Sequence, residues 1–158
     1  MTIALAQPFA SPPPANDQAA PLRILLAEDN ETMRRLLGFV LRADGHDLAE
    51  ARDGTELLEA IASSLLATPN DRFDAIVSEQ SLPGIEGLTV LAGLRARGVA
   101  TPFVLITADP EVQARTRRLG GVVLDQPFNT QAIRVAVGAS RHDDQADHDD
   151  QAALARAR

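Results

Sequence analysis

Three short apolar runs dictate most of what this chain can become. LRILLA (Leu22–Ala27), DAIVSE (Asp74–Glu79) and FVLITA (Phe103–Ala108) are too short for buried helices and carry apolar residues at successive positions. Such runs suit strands covered on both faces, the habit of a parallel sheet. Between them the apolar period lengthens to that of a helix. One helix runs through Met33, Leu37, Val40 and Leu41, with Asn30 as its cap and Gly45 past its end. TELLEAIASSLL follows Asp53-Gly54, GLTVLAGLRARG stops at Gly98, PEVQARTRRL opens with Pro110 at a helix start, and TQAIRVAVGAS comes last. Two weaker strands, DLAEAR and Val122–Leu124, complete the alternation. Five strands alternating with five helices predict a doubly wound, five-stranded parallel sheet in a three-layer α/β/α sandwich, flavodoxin-like in class.

The folded domain is expected over 22–140. Residues 1–21 contain Pro12, Pro13 and Pro14 in a row and read as a disordered Pro/Ala-rich leader. Residues 141–158 read as an acidic, solubilising tail in which His142 and His148 are too far apart to make a tight ligand pair.

Composition narrows the function. The 158 residues carry a net charge of -7 and have neither Trp nor Tyr, which argues against a nucleic-acid surface built on phosphate contacts and base stacking. With no cysteine there is no disulfide, thiolate metal site or Cys nucleophile. No long apolar run suits a membrane span, and the N-terminal segment makes a poor secretory signal, so a cytoplasmic protein is expected.

In parallel α/β sheets, ligands bind beyond the carboxyl ends of the strands. The first strand ends in Glu28 and Asp29, the third in Glu79, the fourth in Thr107 and Ala108, and the fifth in Asp125, Gln126 and Pro127. The carboxylates of Glu28, Asp29 and Glu79, a hydroxyl and an amide are therefore expected on one rim. Like charges in one pocket raise a carboxyl pKa unless a cation joins them. Weak Mg²⁺ or Mn²⁺ binding, or a carboxyl titrating above its usual value, follows. Ser78 should point away from the rim, and Asp53-Gly54 reads as a turn. His46 is expected to be exposed. No serine has a histidine base in evident reach.

With those positions fixed, ILLAEDN, LRADGHDLAEARDGTELL, SLPGIEG, FVLITA and QPFN together resemble a response regulator receiver domain of the CheY-like type over about residues 22–140. Glu28-Asp29-Asn30 and the following helix are similar to receivers attached to hybrid histidine kinases. The resemblance implies a phosphoacceptor aspartate four residues before Pro83, where Glu79 stands. It implies a phosphate-neutralising lysine just before Pro127, where Gln126 stands, and an aromatic switch residue at Val123. The acid pair that holds magnesium corresponds to Glu28 and Asp29, a backbone carbonyl ligand to Ser81, and the switch hydroxyl to Thr107. It also implies a cis bond at Gln126-Pro127. Partners would be a histidine kinase, a histidine phosphotransfer protein or another response regulator. The implied surface lies on the fourth helix, fifth strand and fifth helix, here Val112, Arg115, Arg118, Ile133, Val135 and Val137, with a homodimer through the last helix as one use of it.

Phosphoryl transfer is mostly positioning and charge stabilisation, and misplacing the nucleophile by ~1 Å can cost roughly 100-fold. Glutamate lengthens the arm by a methylene, and Gln126 supplies hydrogen bonds without charge. A degenerate pseudo-receiver is expected, not an enzyme, that works through phosphorylation-independent contacts as an adaptor or decoy. Glu79 is expected either to act as a built-in phosphomimic, bonded by Thr107, or to leave the surface unswitched. A receiver that still accepts phosphate is the alternative, and a metal-dependent phosphatase comes third.

Overall fold

A computed structural model describes residues 20–140. The sequence-predicted leader and tail lie outside the described residues apart from positions 20 and 21. The strands are β1 (Arg23–Ala27), β2 (Asp47–Ala51), β3 (Ala75–Glu79), β4 (Phe103–Thr107) and β5 (Val122–Asp125). The helices are α1 (Glu31–Ala43), α2 (Gly54–Leu66), α3 (Gly87–Ala96) and α4 (Pro110–Arg118), followed by α5 over 130–140. The order β2-β1-β3-β4-β5 is parallel throughout, as the alternation required.

Because side chains alternate along a strand, each central strand feeds two cores. Ile24 and Leu26 pack with Leu37 and Leu41 of α1 and with Ile133 and Val137 of α5. Leu25 and Ala27 pack on the other face with Leu57 and Ile61 of α2 and Leu91 of α3. Phe103, Val104, Leu105 and Ile106 in β4 are at most 1% exposed, which explains why these four successive positions are apolar.

Local chemistry sets the helix ends. Asn30 caps α1 by accepting from Met33 N–H, Asp53 caps α2 by accepting from Glu56 N–H, and Gly45 takes φ 90° in the turn after α1. Gly87 opens α3 where a Cβ would stand 2.7 Å from the Glu79 carbonyl, so only glycine lets α3 start so close to the end of β3. The Gln126-Pro127 peptide is cis.

Three sequence expectations change. A 3-10 turn at Pro69–Asp71 lies between α2 and β3, tied to β1 by Arg23, which donates to the Asp71 carbonyl. His46 is half-buried rather than exposed, because its Nδ1 accepts from Leu22 N–H at 3.2 Å. Ile133 and Val137 are core residues, 0% and 2% exposed, and offer nothing to a partner. Their i, i+4 spacing puts both on the side of α5 that covers β1 and β3, while Val135 at 61% exposure faces out.

Candidate functional site

The sheet order reverses at β1, which has β2 on one side and β3 on the other. Such a switch point leaves a crevice beyond the strand ends. Here the crevice is a cavity of ≈ 380 Å³ lined by Glu28, Asn30, Thr32, Met33, Leu36, Glu79 and Gln126. Glu28 is 3% exposed. Its Oε1 accepts from Asn30 N–H at 3.1 Å, while Oε2 is buried and has no donor. Asp29 beside it is exposed.

Burial pushes the Glu28 carboxyl up to about 7; the Asn30 N–H opposes this, and the Glu79 and Asp29 charges add to it. Burial also raises Glu79, against the N–H groups of Ser81 and Gln80, with Asp29 adding to the rise and the Gln126 amide opposing it. The expected upward shift is present. Desolvation leads it, however, and like-charge repulsion comes second, because Glu28 sits deeper than a strand-end residue need be.

The loop carrying the acid pair is held from behind. Arg34 is 8% exposed on the inner side of α1. Its Nη1 donates to the carbonyls of Glu28 (2.8 Å) and Asp29 (3.3 Å), and its Nε stands 3.6 Å from Glu50 Oε2 on β2. A buried guanidinium needs such partners, since an uncompensated one would cost several kcal/mol, on the order of 3–5. The site therefore contains a cation, but it faces the loop's backbone rather than its carboxylates.

Across the rim, Gln126 Nε2 donates to Glu79 Oε2 at 3.1 Å. This bond takes the position where the resemblance implied a lysine. No lysine could take it, because all 15 basic residues of the chain are arginine. Thr107 is 4% exposed and is not bonded to Glu79; its Oγ1 accepts from Asp109 N–H at 3.1 Å. The expected Thr107–Glu79 contact is thus absent, and the Thr107 hydroxyl oxygen instead serves the start of α4. Ala108 is exposed and Val123 half-buried in β5. Ser78 is fully buried and donates to the Glu79 carbonyl, away from the cavity, and Ser81 is exposed in the loop beyond.

Among the described residues no three His, Cys, Asp or Glu side chains gather into a metal cage. Mg²⁺ needs only one or two carboxylates and keeps water elsewhere. The donorless Oε2 of Glu28 beside Asp29 meets that smaller demand.

Of the implied partner surface, Val112 is half-buried against the α2–α3 core, whereas Arg115, Arg118 and Val135 are exposed. A stronger apolar feature was missed. Leu36 (46% exposed) and Phe39 (72%) stand on the outer face of α1, and Leu36 also lines the cavity. Apolar residues on the solvent side of α1's own period were the sequence signal that could have revealed them. Among the described residues no helix is long and apolar enough to cross a membrane.

Comparison with known proteins places the geometry. Residues 24–138 match the response regulator receiver domain family. The transcriptional regulatory protein TcrA of Mycobacterium tuberculosis is 35% identical over 111 residues, covering 68% of this chain and 41% of that protein. Response regulator MprA of Mycolicibacterium vanbaalenii is 35% identical over 99 residues, covering 63% of this chain and 40% of that protein. The chain thus spans about two fifths of the length of these curated relatives. Chemotaxis response regulator CheY4 of Vibrio cholerae shares the fold, with a TM-score of 0.64 at 24% identity over 77% of this chain and 99% of that one. The receiver domain of the hybrid histidine kinase CckA superposes with a TM-score of 0.57 at 27% identity, over 75% of this chain and 97% of that one.

Proposed function

The chain belongs to the response regulator receiver family, and from that premise we propose that it is a pseudo-receiver. In this reading it serves two-component signalling through protein–protein contact and takes up no phosphoryl group. One observation carries the reading: Glu79, which the resemblance sets at the phosphoacceptor position, is bonded to the neutral Gln126 amide, and among the described residues no ion pair reaches it. A phosphoryl group arriving there would add negative charge to a rim that already holds Glu28, Asp29 and Glu79. The relatives named as response regulators support the signalling context; whether this chain acts with an output segment belongs to the proposal's tests.

Mg²⁺ in this reading would be held weakly by Glu28 and Asp29, with Ser81 offering its carbonyl. Such an ion would neutralise part of the rim's charge. Glu79 would remain tied to Gln126, a static arrangement and not a copy of an aspartyl phosphate, which offers more acceptor oxygens and more charge. The half of the phosphomimic idea that relied on Thr107 has no support in the hydrogen bonding.

The partner is read as a histidine kinase or histidine phosphotransfer protein whose helices present an apolar face. Leu36 lines the cavity, and Phe39 is exposed on the same helix, α1, where such a partner helix could dock. The test is binding of the chain to dimerisation domains of histidine kinases and to phosphotransfer proteins from the same cell. Affinity for the true partner should be unchanged by acetyl phosphate and Mg²⁺, and should fall at least tenfold with the pair Leu36→Asp and Phe39→Asp. Affinity that rises on adding acetyl phosphate would remove the reading.

A further inference from the structure

Two glutamine side chains join four elements around the rim. Gln126 links β5 to Glu79 at the end of β3. Next to it on β5, Asp125 Oδ1 accepts from Gln113 Nε2 of α4 at 2.8 Å. The same Gln113 nitrogen also donates to the carbonyl of Thr107, the last residue of β4, at 3.2 Å. Thr107 in turn accepts from Asp109 N–H, and the Asp109 carboxylate caps α4 by accepting from the N–H groups of Glu111 and Val112. The path Glu79–Gln126/Asp125–Gln113–Thr107–Asp109 thus ties the start of α4 to the ends of β4 and β5.

We propose that Gln113 and Gln126 form a neutral brace that fixes α4 against the ends of β4 and β5 whatever happens at Glu79. The proposal rests on the pseudo-receiver reading and extends it from the site to the surface. An amide can hold two acceptors at once without needing a counter-charge, and the Gln113 bonds to Thr107 and Asp125 do not involve Glu79. Gln113 is the residue that matters most, because its one amide reaches both strands from the helix. It is a positioning residue: it touches neither Glu79 nor the cavity and acts through Thr107 and Asp125. The exposed face of α4, with Arg115 and Arg118, is then a surface of constant shape, suited to a standing contact instead of a switched one.

Hydrogen exchange on the whole chain tests this without any ligand. Gln113→Ala keeps a good helix former in α4 and removes both donated bonds. Amides of residues 110–118 should exchange about tenfold faster, the loss expected for one or two modest hydrogen bonds, while those of α2 and β1 stay unchanged. Gln113→Glu, which sets a carboxylate against Asp125, should do the same. Unchanged exchange in α4 with both variants would overturn the brace.

A second arm reads coupling, which a merely structural role would not alter. With both glutamines kept, Glu79→Gln, which removes a carboxylate from the rim, should shift amides at 28–29 and 79–81. Shifts in α4 should stay small with Gln113 present and grow several-fold in the added Gln113→Ala variant. Equal α4 shifts with and without Gln113 would sink the proposal. Because the exchange arm uses the chain with Glu79 and Gln126 intact and no phosphoryl donor, its failure is separable from failure of the pseudo-receiver reading.

Discussion

The two ends of the sheet treat charge in opposite ways. At the end where the strands begin, arginines are fully employed. Arg23 faces Asp47 and Asp71 at 3.7 Å each, donates to the Asp71 carbonyl, and lies 5.5 Å over the Phe73 ring. Arg95 donates to the carbonyls of Val99, Thr101 and Leu119. At the end where the strands finish, three acids share a rim, one of them with a buried oxygen that has no donor. Matched charges at one end hold the fold together. At the other end the buried carboxylate costs stability when charged.

Mutations at the two ends should therefore differ in sign. The largest effect is expected at Glu28. Its carboxyl titrates at about 7 in the folded chain against an ordinary 4.5, so the folded state holds the proton more tightly than the unfolded one. That contribution is complete below pH 4.5 and is lost as pH rises through about 7. At about 1.4 kcal/mol per pH unit the loss reaches roughly 3 kcal/mol. Denaturant melts in a chelator should show Glu28→Gln more stable than the parent at pH 8 and nearly equal at pH 4. A parent whose stability is flat across that range would erase the contrast between the ends.

At the other end, Arg95→Met should destabilise by about 2 kcal/mol at every pH, through carbonyls left without donors. A pH-dependent loss there would mean that the two ends are not different in kind. Gln126→Ala should cost less, about 1 kcal/mol, and should raise the Glu79 pKa further by removing the amide that opposes the rise. Carboxyl-carbon NMR titration reads this directly. The smallest effect is expected at Phe39→Asp. A side chain already 72% exposed contributes little packing, so stability should hold within about 0.5 kcal/mol while partner binding suffers.

The fold was legible in the sequence because its signals are local and redundant. Phe103 to Ile106 are apolar in succession because β4 is covered on both faces, and Asn30 and Asp53 cap the helices they precede. The rim was legible as far as strand ends could take it: Glu28, Asp29, Glu79 and Gln126 were placed by the alternation and the Pro83 and Pro127 landmarks. What depends on side-chain direction was not legible. Six positions on the last two helices looked alike as partner surface until packing put Ile133 and Val137 in the core. Arg34 gave no sign that it would turn inward to two carbonyls, nor Gln113 that it would span β4 and β5. Thr107 had two partners in reach along the chain and across the rim, and sequence does not rank them. In the structure its Oγ1 accepts from Asp109 N–H, and it makes no bond to Glu79.

The claim that this rim does not capture a phosphoryl group has one direct measurement. The chain, with Glu79 and Gln126 intact, is incubated with acetyl phosphate and Mg²⁺ and its intact mass recorded over time. An unchanged mass is predicted, together with a gain of one phosphoryl group in the Glu79→Asp, Gln126→Lys double variant run beside it. A phosphoryl gain on the unaltered chain that disappears with Glu79→Gln would contradict the account outright.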